Sequence, residues 1–185
     1  MSSPPPDLSP GDYAFLGMLD LGHETAYSIK KAMAGSVSFF WSAAHSQVYQ
    51  QASRLVRDGY VREKAERDGR RRKLLSLTPK GRRALDRWLT APAARAELRD
   101  EMLVKTFFAA TAARPGQTVD MLEDQREQYR DALAEFEEIE RNLGLAVEHH
   151  PHARYQRATV RLGIEVTRAY LSWLDDTIEE VGRNG

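Results

Sequence analysis

Glycines at positions 22, 35 and 59 end three short segments in which apolar residues recur at helical spacing, and this punctuation constrains the fold most strongly. Ser9, which is followed by a proline, has the side chain of an N-cap residue for the first helix. Thr25 has the corresponding side chain for the second helix. The pattern therefore predicts three short helices in succession.

The spacing of the apolar residues also predicts which residues lie on each helix and, for the first and third helices, which face packs inward. The third helix is expected to begin at Ser42 or Ser46, because either side chain can serve as its N-cap. The second helix is predicted to include Ala26, Tyr27, Ile29, Lys30 and Met33. The predicted inward positions are Tyr13, Leu16, Gly17, Leu19 and Leu21 in the first helix and Val48, Ala52, Leu55 and Val56 in the third.

A β-hairpin with a basic tip is predicted after the third helix. The segments Tyr60–Glu63 and Lys73–Leu77 each favour a strand, and Asp68-Gly69 supplies the positive φ that a tight hairpin turn needs. Thr78 precedes a proline and is expected to cap a fourth helix. Three helices followed by a two-stranded hairpin is the element order of a winged helix-turn-helix.

The second half of the sequence is predicted to be entirely helical, with a loop at EHHPHARY, residues 148–155. Its apolar positions are Leu98, Met102, Leu103, Phe107 and Phe108, then a heptad-like seam of Leu122, Gln125, Tyr129, Ala132, Phe136, Ile139, Leu143 and Ala146, and finally Val160, Ile164, Thr167, Tyr170, Leu171, Leu174, Ile178 and Val181. The predicted fold is mainly α with a small β-hairpin. We expect a flexible N-terminus (residues 1–8), a winged helix-turn-helix (9–90) and a helical dimerisation domain (91–185).

The charge is distributed unevenly, although the 185-residue chain has no net charge. Residues 1–90 contain 15 Lys and Arg against 9 Asp and Glu, whereas residues 91–185 contain 12 against 18. A basic N-terminal half can attract a polyanion such as DNA, although an ordinary solvated surface would give the same counts. The sequence has no cysteine and no recognisable secretory signal or membrane span, so we expect a cytoplasmic protein.

The third helix carries polar side chains opposite its apolar stripe. These outward candidates are His45, Ser46, Gln47, Gln50, Gln51, Ser53, Arg54 and Arg57. Gln can pair bidentately with adenine, and Ser and Arg can hold phosphates, so the helix is predicted to enter a major groove; a merely solvated face is the alternative. The basic residues at the hairpin tip favour DNA binding over a merely solvated face, because they can neutralise phosphates. The residues predicted to contact double-stranded DNA are Ser42, His45, Ser46, Gln47, Tyr49, Gln50, Arg54, Arg70, Arg71, Arg72 and Lys73.

A homodimer is predicted from the second half, because its last two helices carry more apolar stripe than one hairpin is expected to cover. The residues assigned to this interface are Tyr129, Phe136, Ile139, Leu143, Ile164, Tyr170, Leu171 and Leu174. Two-fold symmetry would place two recognition helices on successive major grooves, so the operator is expected to be an inverted repeat.

The chain resembles the PadR family of bacterial transcriptional regulators through several dense motifs. They are YAFLGMLDLG from Tyr13, TAYSIKK from Thr25, FWSAAHSQVYQQASRLVRDGYV from Phe40 and KLLSLTPKG from Lys73. DEMLVKTFF and RATVRLGIEVTRAYLSWLDDTIEEV are similar to the C-terminal domain of longer PadR-like proteins related to virulence activators. Ala26 replaces the usual glycine of the second helix, and Gln50 and Gln51 also depart from many relatives, so no operator sequence is carried over.

The resemblance implies a homodimeric, sequence-specific DNA-binding regulator, most simply a repressor, that responds to a small effector such as an aromatic compound. Trp41 and Trp173 are the candidate effector residues, although core packing is the more ordinary role of such side chains. The alternative function is a winged-helix module that binds an acidic protein partner. Steep loss of binding with salt and preference for one DNA sequence would distinguish the first function from the second.

No catalytic motif is recognisable in the sequence, so neither enzymatic activity nor a cofactor is expected. His149, His150 and His152 lie close together in the sequence, but the intervening proline and the lack of a carboxylate at helical spacing favour a solvated loop over a metal site. Glu137, Glu138 and Glu140 are expected to lie on the solvent-exposed face of a long helix rather than to form a catalytic acid–base pair.

Overall fold

The computed structural model of the chain describes residues 8–34, 36, 47–65, 73–111 and 116–183, which form a mainly helical fold with a two-stranded hairpin, as the sequence predicts. Two compact units are present, Met1–Arg95 and Ala96–Gly185. The first contains α1 (Pro10–Asp20), α2 (Ala26–Ala34), α3 (Val48–Arg57), β1 (Val61–Ala65), β2 (Lys73–Leu77) and α4 (Pro79–Thr90). The second contains α5 (Glu101–Phe107), a 3-10 helix (Ala109–Thr111), α6 (Gly116–Ala146) and α7 (Ala153–Gly182). None of the described helices is long and apolar enough to cross a membrane.

Both ends of α1 are fixed by hydrogen bonds that its own sequence provides. Ser9 Oγ accepts from the backbone N–H of Asp12, and the Asp12 carboxylate accepts from the Ser9 backbone N–H at 2.9 Å, which forms a capping box. At the other end Gly22 has a φ of 90°, and the N–H of His23 donates to the Met18 carbonyl. A left-handed residue after the last turn ends a helix, so the predicted roles of Ser9 and Gly22 are confirmed.

The core of the first unit forms where α1 packs among α2, α3, α4 and β2. The predicted inward stripe of α1 is wrong in two places, since Phe15 is fully buried and Leu21 is exposed. Leu21 lies at the C-cap, where the helix has already ended. On α2, Tyr27 is exposed, because this helix buries only a narrow side through Ile29 and Met33.

The C-terminus of α3 repeats the arrangement seen at the end of α1. Gly59 has a φ of 75°, its N–H donates to the Val56 carbonyl at 3.0 Å, and the N–H of Tyr60 donates to the Leu55 carbonyl at 2.9 Å. The predicted role of Gly59 as the helix stop is therefore confirmed. At the other end the N-cap is Gln47, which makes no side-chain capping bond. The remaining predicted boundary residues lie outside the described part of the chain: Gly35, Ser42 and Ser46.

The hairpin is antiparallel, with Val61 paired to Leu77 and Ala65 paired to Lys73. Tyr60, which was predicted to begin the first strand, instead completes the hydrogen bonding that ends α3. The first strand also runs two residues further than predicted, to Ala65. The predicted turn at Asp68-Gly69 lies outside the described residues.

The base of the hairpin is tied to the helices on both sides of it. The backbone N–H of Leu75 in β2 donates to the carbonyl of Glu24, between α1 and α2, at 2.7 Å. Thr78 caps α4, as predicted, by accepting the N–H of Gly81. The hairpin is therefore held in place by backbone hydrogen bonds as well as by buried side chains.

The second unit begins with a shorter helix than the sequence suggests. Asp100 accepts the N–H of Met102 at 2.8 Å and so starts α5 there, which leaves Leu98 outside the helix and exposed. Phe107 is 81% exposed and Phe108 is also exposed. Of the apolar positions named for this segment, Leu98, Phe107 and Phe108 are exposed in the single chain, and α5 buries only Met102.

α6 and α7 form a long antiparallel pair along the predicted apolar seams. Phe136 lies against Gly163, and Tyr129 stacks on Tyr170 further along. Residue numbers thus rise on one helix as they fall on the other. The helical spacing predicted both helices and their apolar stripes.

Gly81 is expected to tolerate no side chain, because a Cβ at this position would lie 2.2 Å from the Tyr60 carbonyl oxygen. The approach is close because Thr78 Oγ1 donates to the Tyr60 carbonyl at 3.1 Å while accepting the Gly81 N–H. We expect Gly81→Ala to lower the free energy of unfolding by about 1–3 kcal/mol in a urea titration. Gly17→Ala is the control, since nothing lies within 4 Å of its Cβ, and it should be neutral or slightly stabilising. Equal stability of the two variants would contradict the close approach.

Candidate nucleic-acid interface

α3 has one face in the core and one face in solvent. Val48, Ala52 and Leu55 are buried, whereas Tyr49 is 53% exposed and the Arg57 side chain is 72% exposed. The helix itself contains no carboxylate. We call the set opposite the buried stripe the exposed face of α3; it consists of Gln47, Tyr49, Gln50, Ser53 and Arg57. This face presents amide donors and acceptors, a hydroxyl, an aromatic ring and a cation, which are the groups that contact base edges and phosphates.

A fully buried carboxylate joins α1 to one flank of α3. Asp12 Oδ1 accepts from Gln51 Nε2 at 2.8 Å and from Arg54 Nη2 at 2.5 Å, and Asp12 Oδ2 accepts from Arg54 Nη1 at 3.1 Å. Oδ2 also accepts from the Ser9 hydroxyl at 2.8 Å. We call Ser9, Asp12, Gln51 and Arg54 the Asp12 cluster. Its guanidinium and carboxylate meet in the two-point geometry that makes such pairs directional.

The Asp12 cluster keeps its carboxylate ionised despite burial. Burial by itself raises the pKa of Asp12, but hydrogen bonds from Arg54, Gln51 and Ser9 outweigh it and hold the pKa below its ordinary value. The same contact raises the pKa of Arg54. Because the folded pKa of Asp12 is depressed, the stabilisation is present at neutral pH and is lost as the pH falls through the acidic range.

Two residues predicted to face outward belong to this cluster instead. Gln51 is partly buried and donates to Asp12, so its predicted outward orientation is wrong. The Arg54 side chain is 41% exposed and its guanidinium is bonded to Asp12; contact between Arg54 and DNA stays a prediction. The capping-box spacing from Ser9 could have identified Asp12 as a structural residue. Its partner Arg54 lies 42 positions away, beyond any local sequence pattern.

The described part of the hairpin offers further positive charge. Lys73 Nζ lies 3.0 Å from Glu63 Oε1, yet the Lys73 side chain remains largely exposed, and Arg62 and Lys64 on β1 are also exposed. The Lys73–Glu63 pair therefore holds the cation at the strand end without burying it. The other predicted contacts fall outside the described residues: Ser42, His45, Ser46, Arg70, Arg71 and Arg72.

The residues predicted to form a dimer interface lie along the contact between α6 and α7 of one chain. Tyr129 stacks on Tyr170 with ring centroids 4.8 Å apart. Ile164 and Leu174 are already buried in the single chain. The dimer was predicted from apolar residues that one hairpin leaves uncovered, and these two residues are not among them. The partly buried members keep an edge in solvent, and dimerisation through them stays a prediction: Phe136, Ile139, Leu143 and Leu171.

Of the two candidate effector residues, Trp173 lies in the described part of the chain and Trp41 does not. Trp173 is partly buried and packs against the core of the second unit, which is built on Met102, Leu122 and Leu174. This is the packing role that the sequence offered as the alternative. A role for Trp173 in effector binding stays a prediction.

A charged groove of about 530 Å³ runs along α6 and α7. Glu140 accepts from Arg157 at 2.7 Å and from Arg161 at 3.0 Å, and Glu137 accepts from Arg168 at 2.9 Å. These carboxylates are therefore held in ion pairs on the helix surface. Within the described ranges, no group of three or more His, Asp or Glu side chains is arranged to hold a metal ion.

Comparison with known proteins gives matches over nearly the whole chain. The Transcriptional regulator PadR-like family matches residues 15–87, and the Virulence activator alpha C-term family matches residues 98–181. The negative transcriptional regulator PadR of Bacillus subtilis is 25% identical over 179 residues, which span 93% of this chain and 97% of the relative.

Solved structures agree with these family matches. Bacillus subtilis PadR in complex with operator DNA superposes with a TM-score of 0.79 at 25% identity, covering 94% of this chain and 99% of that one. The Vibrio cholerae virulence activator AphA gives a TM-score of 0.77 at 26% identity, with the same coverage of 94% and 99%. Bacillus subtilis PadR in complex with p-coumaric acid gives 0.72 at 24% identity, covering 95% and 99%.

Tyr170 is expected to ionise late in an alkaline titration. Burial, together with the nearby Asp100 carboxylate, raises the pKa of Tyr170 to about 12. Because the folded pKa lies above the ordinary value of about 10, the stabilisation is complete below that pH and is lost as the pH rises toward the folded pKa. Tyrosinate absorbance should show a component near pH 12 that Tyr170→Phe lacks and that the exposed-site control Tyr27→Phe keeps. Loss of that component in the control instead would refute the assignment.

Proposed function

The chain belongs to the PadR-like family of transcriptional regulators, in the form with a virulence-activator C-terminal domain, and from that premise we propose that it is a homodimeric repressor that binds operator DNA. The proposal assigns α3 to the major groove and the hairpin to the DNA backbone. It assigns no catalytic step and no cofactor. Placement in the cytoplasm is part of the same proposal.

The observation that carries the proposal is the exposed face of α3. An α-helix that enters the major groove needs one face packed on its own domain and another with side chains free to reach base edges. The buried stripe of Val48, Ala52 and Leu55 provides the first face. Gln47, Tyr49 and Gln50 provide the second, and Gln50 has the amide group that pairs bidentately with adenine.

The hairpin supplies the sequence-independent part of the proposed interface. Its strands expose Arg62, Lys64 and Lys73. The sequence predicts three further cations at its tip, Arg70, Arg71 and Arg72. Cations at this position contribute by neutralising phosphates, a contribution that does not depend on base sequence. The excess of positive charge in residues 1–90 agrees with this assignment.

Homodimer formation and effector control extend the proposal. We assign dimerisation to the second unit, through the partly exposed edges of the α6 and α7 seams, because two copies are needed to read an inverted repeat. The relative PadR has been solved both with operator DNA and with p-coumaric acid. We therefore include control by a small planar effector in the proposal, and we expect Trp41 and Trp173 to report the binding of that effector.

The rival function, a docking module for an acidic protein partner, predicts different behaviour toward DNA. Phosphate contacts release bound counterions, so DNA affinity falls log-linearly with salt concentration. A docking module has no reason to prefer one DNA sequence over another. Sequence preference is therefore the property that separates the two functions.

We expect the protein to bind the DNA upstream of its own gene in a gel-shift titration and to prefer it over random DNA of equal length. Affinity should fall steeply and log-linearly with salt, because several phosphates are neutralised. Footprinting should show two protected half-sites roughly 34–36 Å apart, as a two-fold dimer requires. Equal affinity for both DNAs at every salt concentration would leave the docking module as the better function.

We expect Gln50→Ala and Arg71→Ala to weaken DNA binding in different ways. Gln50 should contact a base, so its loss should cost about 1–3 kcal/mol and relax preference at one base pair. Arg71 should contact a phosphate or the minor groove, so its loss should weaken binding to all sequences and reduce the salt slope by about one. Binding to a panel of single-base operator variants at several salt concentrations measures both effects. The reverse pattern would mean that the two roles are exchanged.

A further inference from the structure

We infer that Asp12 is a positioning residue for sequence recognition: it fixes the rotation of α3 about its own axis, so that the exposed face of α3 meets DNA in one orientation. The inference rests on the proposed function, because it concerns how α3 reads a base sequence. It assigns Arg54 to α1 as a positioning partner rather than to DNA as a phosphate ligand.

Two side chains of α3 converge on one carboxylate of α1. Gln51 and Arg54 lie three positions apart, on the same flank of the helix, and both reach Asp12. The planar guanidinium bonds both carboxylate oxygens, which constrains angle as well as distance. The apolar contacts of Val48, Ala52 and Leu55 bury the neighbouring face but are not directional. The Asp12 cluster therefore supplies the directional part of the contact between α1 and α3.

Asp12 is itself held in place by Ser9 and by the packing of α1. Its Oδ2 atom accepts the Ser9 backbone N–H at 2.9 Å and the Ser9 hydroxyl at 2.8 Å, within the capping box of α1. The same helix is anchored in the core by the fully buried Phe15 and Leu16. The Asp12 cluster thus sets the orientation of α3 relative to a helix that is itself fixed in the core.

A small rotation of α3 is large on the scale of a hydrogen bond. With its side chains a helix has a radius of about 5–6 Å, so a rotation of about 20° would move a side-chain tip by about 2 Å. A hydrogen bond to a base edge tolerates only a few tenths of an ångström. A small rotation of α3 would therefore abolish base contacts by Gln50 while leaving long, flexible cations within reach of phosphates. Loss of the Asp12 cluster should accordingly affect preference more than overall affinity.

Arg57 is a cation on the same helix that extends into solvent instead of binding α1. It lies one turn after Arg54, its side chain is 72% exposed, and it pairs with the adjacent Asp58 at 3.1 Å. Arg54, by contrast, directs its guanidinium at a buried carboxylate on another helix. The two arginines are therefore expected to differ in function although both lie on α3.

The test measures the affinity of the full-length protein for two DNAs over a series of salt concentrations. One DNA is the fragment upstream of its own gene that the wild type protects, and the other is a random sequence of equal length. The variants are Asp12→Asn, Arg54→Ala, Arg54→Lys and the double variant Asp12→Asn with Arg54→Ala. Arg82→Ala is the matched control, since it breaks the ion pair between Arg82 and Asp20 at the opposite end of α1 without touching α3. Circular dichroism identifies the variants that fold.

We expect Asp12→Asn and Arg54→Ala each to reduce the preference for the upstream DNA about tenfold, with an unchanged salt slope. The double variant should lose no more than either single variant, because both act through one contact. Arg54→Lys keeps the charge but not the two-point geometry, so it should lose preference too. Arg82→Ala should keep the wild-type preference.

Two outcomes would overturn the positioning role. If Arg54→Ala keeps its preference but its salt slope falls by about one, Arg54 is a phosphate ligand. If the wild type prefers the upstream DNA and both Arg54 variants keep that preference, base recognition by α3 does not depend on this contact. If Asp12→Asn does not fold, the two Arg54 variants are sufficient to decide. A wild-type protein with no preference overturns the proposed function itself, and the positioning role with it.

Discussion

Burial of one face of α3 is the constraint on which the candidate interface depends. Full burial of a valine or leucine side chain stabilises a fold by about 1.5–3 kcal/mol, so Val48 and Leu55 together outweigh any single surface contact of the helix. Once that stripe is in the core, Tyr49, Gln50 and Arg57 can only face solvent. The apolar residues decide which polar residues are presented, and the Asp12 cluster adds the directional contact that apolar packing lacks.

The parts of the fold that local signals control could be predicted from the sequence. Ser9 and Thr78 cap helices, and Gly22 and Gly59 end them with positive φ, because each of these roles depends on a residue and its near neighbours. Periodicity predicted the faces of α6 and α7 for the same reason. It failed for Leu21, which is exposed, because spacing does not show at which residue a helix ends.

The candidate site was predictable to a smaller extent. Gln47, Tyr49 and Gln50 are exposed, as the amphipathic pattern suggested. Gln51 and Arg54 carry polar side chains on the same helix, and nothing local distinguishes them from their exposed neighbours. Their partner Asp12 lies on α1, and only the packing of the two helices brings the groups together. A contact between distant segments of a chain leaves no periodic trace in either of them.

α6 and α7 cover most of their own apolar seam. The stacked rings of Tyr129 and Tyr170 and the buried Leu174 lie between the two helices, and ion pairs such as Glu137 with Arg168 flank the seam. Exposed apolar side chains nevertheless remain on α7, among them Leu162 and Val166. Surface available for association therefore lies at the edges of the seam and on the outer side of α7, rather than at its centre.

The separation of the two faces of α3 has an evolutionary consequence. Residues such as Gln47, Tyr49 and Gln50 contribute little to the core, so their replacement leaves folding nearly unchanged. Substitutions of Val48, Ala52 or Leu55 are restricted by close packing. Descendants of such a chain can therefore acquire new target sequences by drift at exposed positions while the scaffold stays the same, and duplicated copies can diverge in the genes they control without passing through an unfolded ancestor.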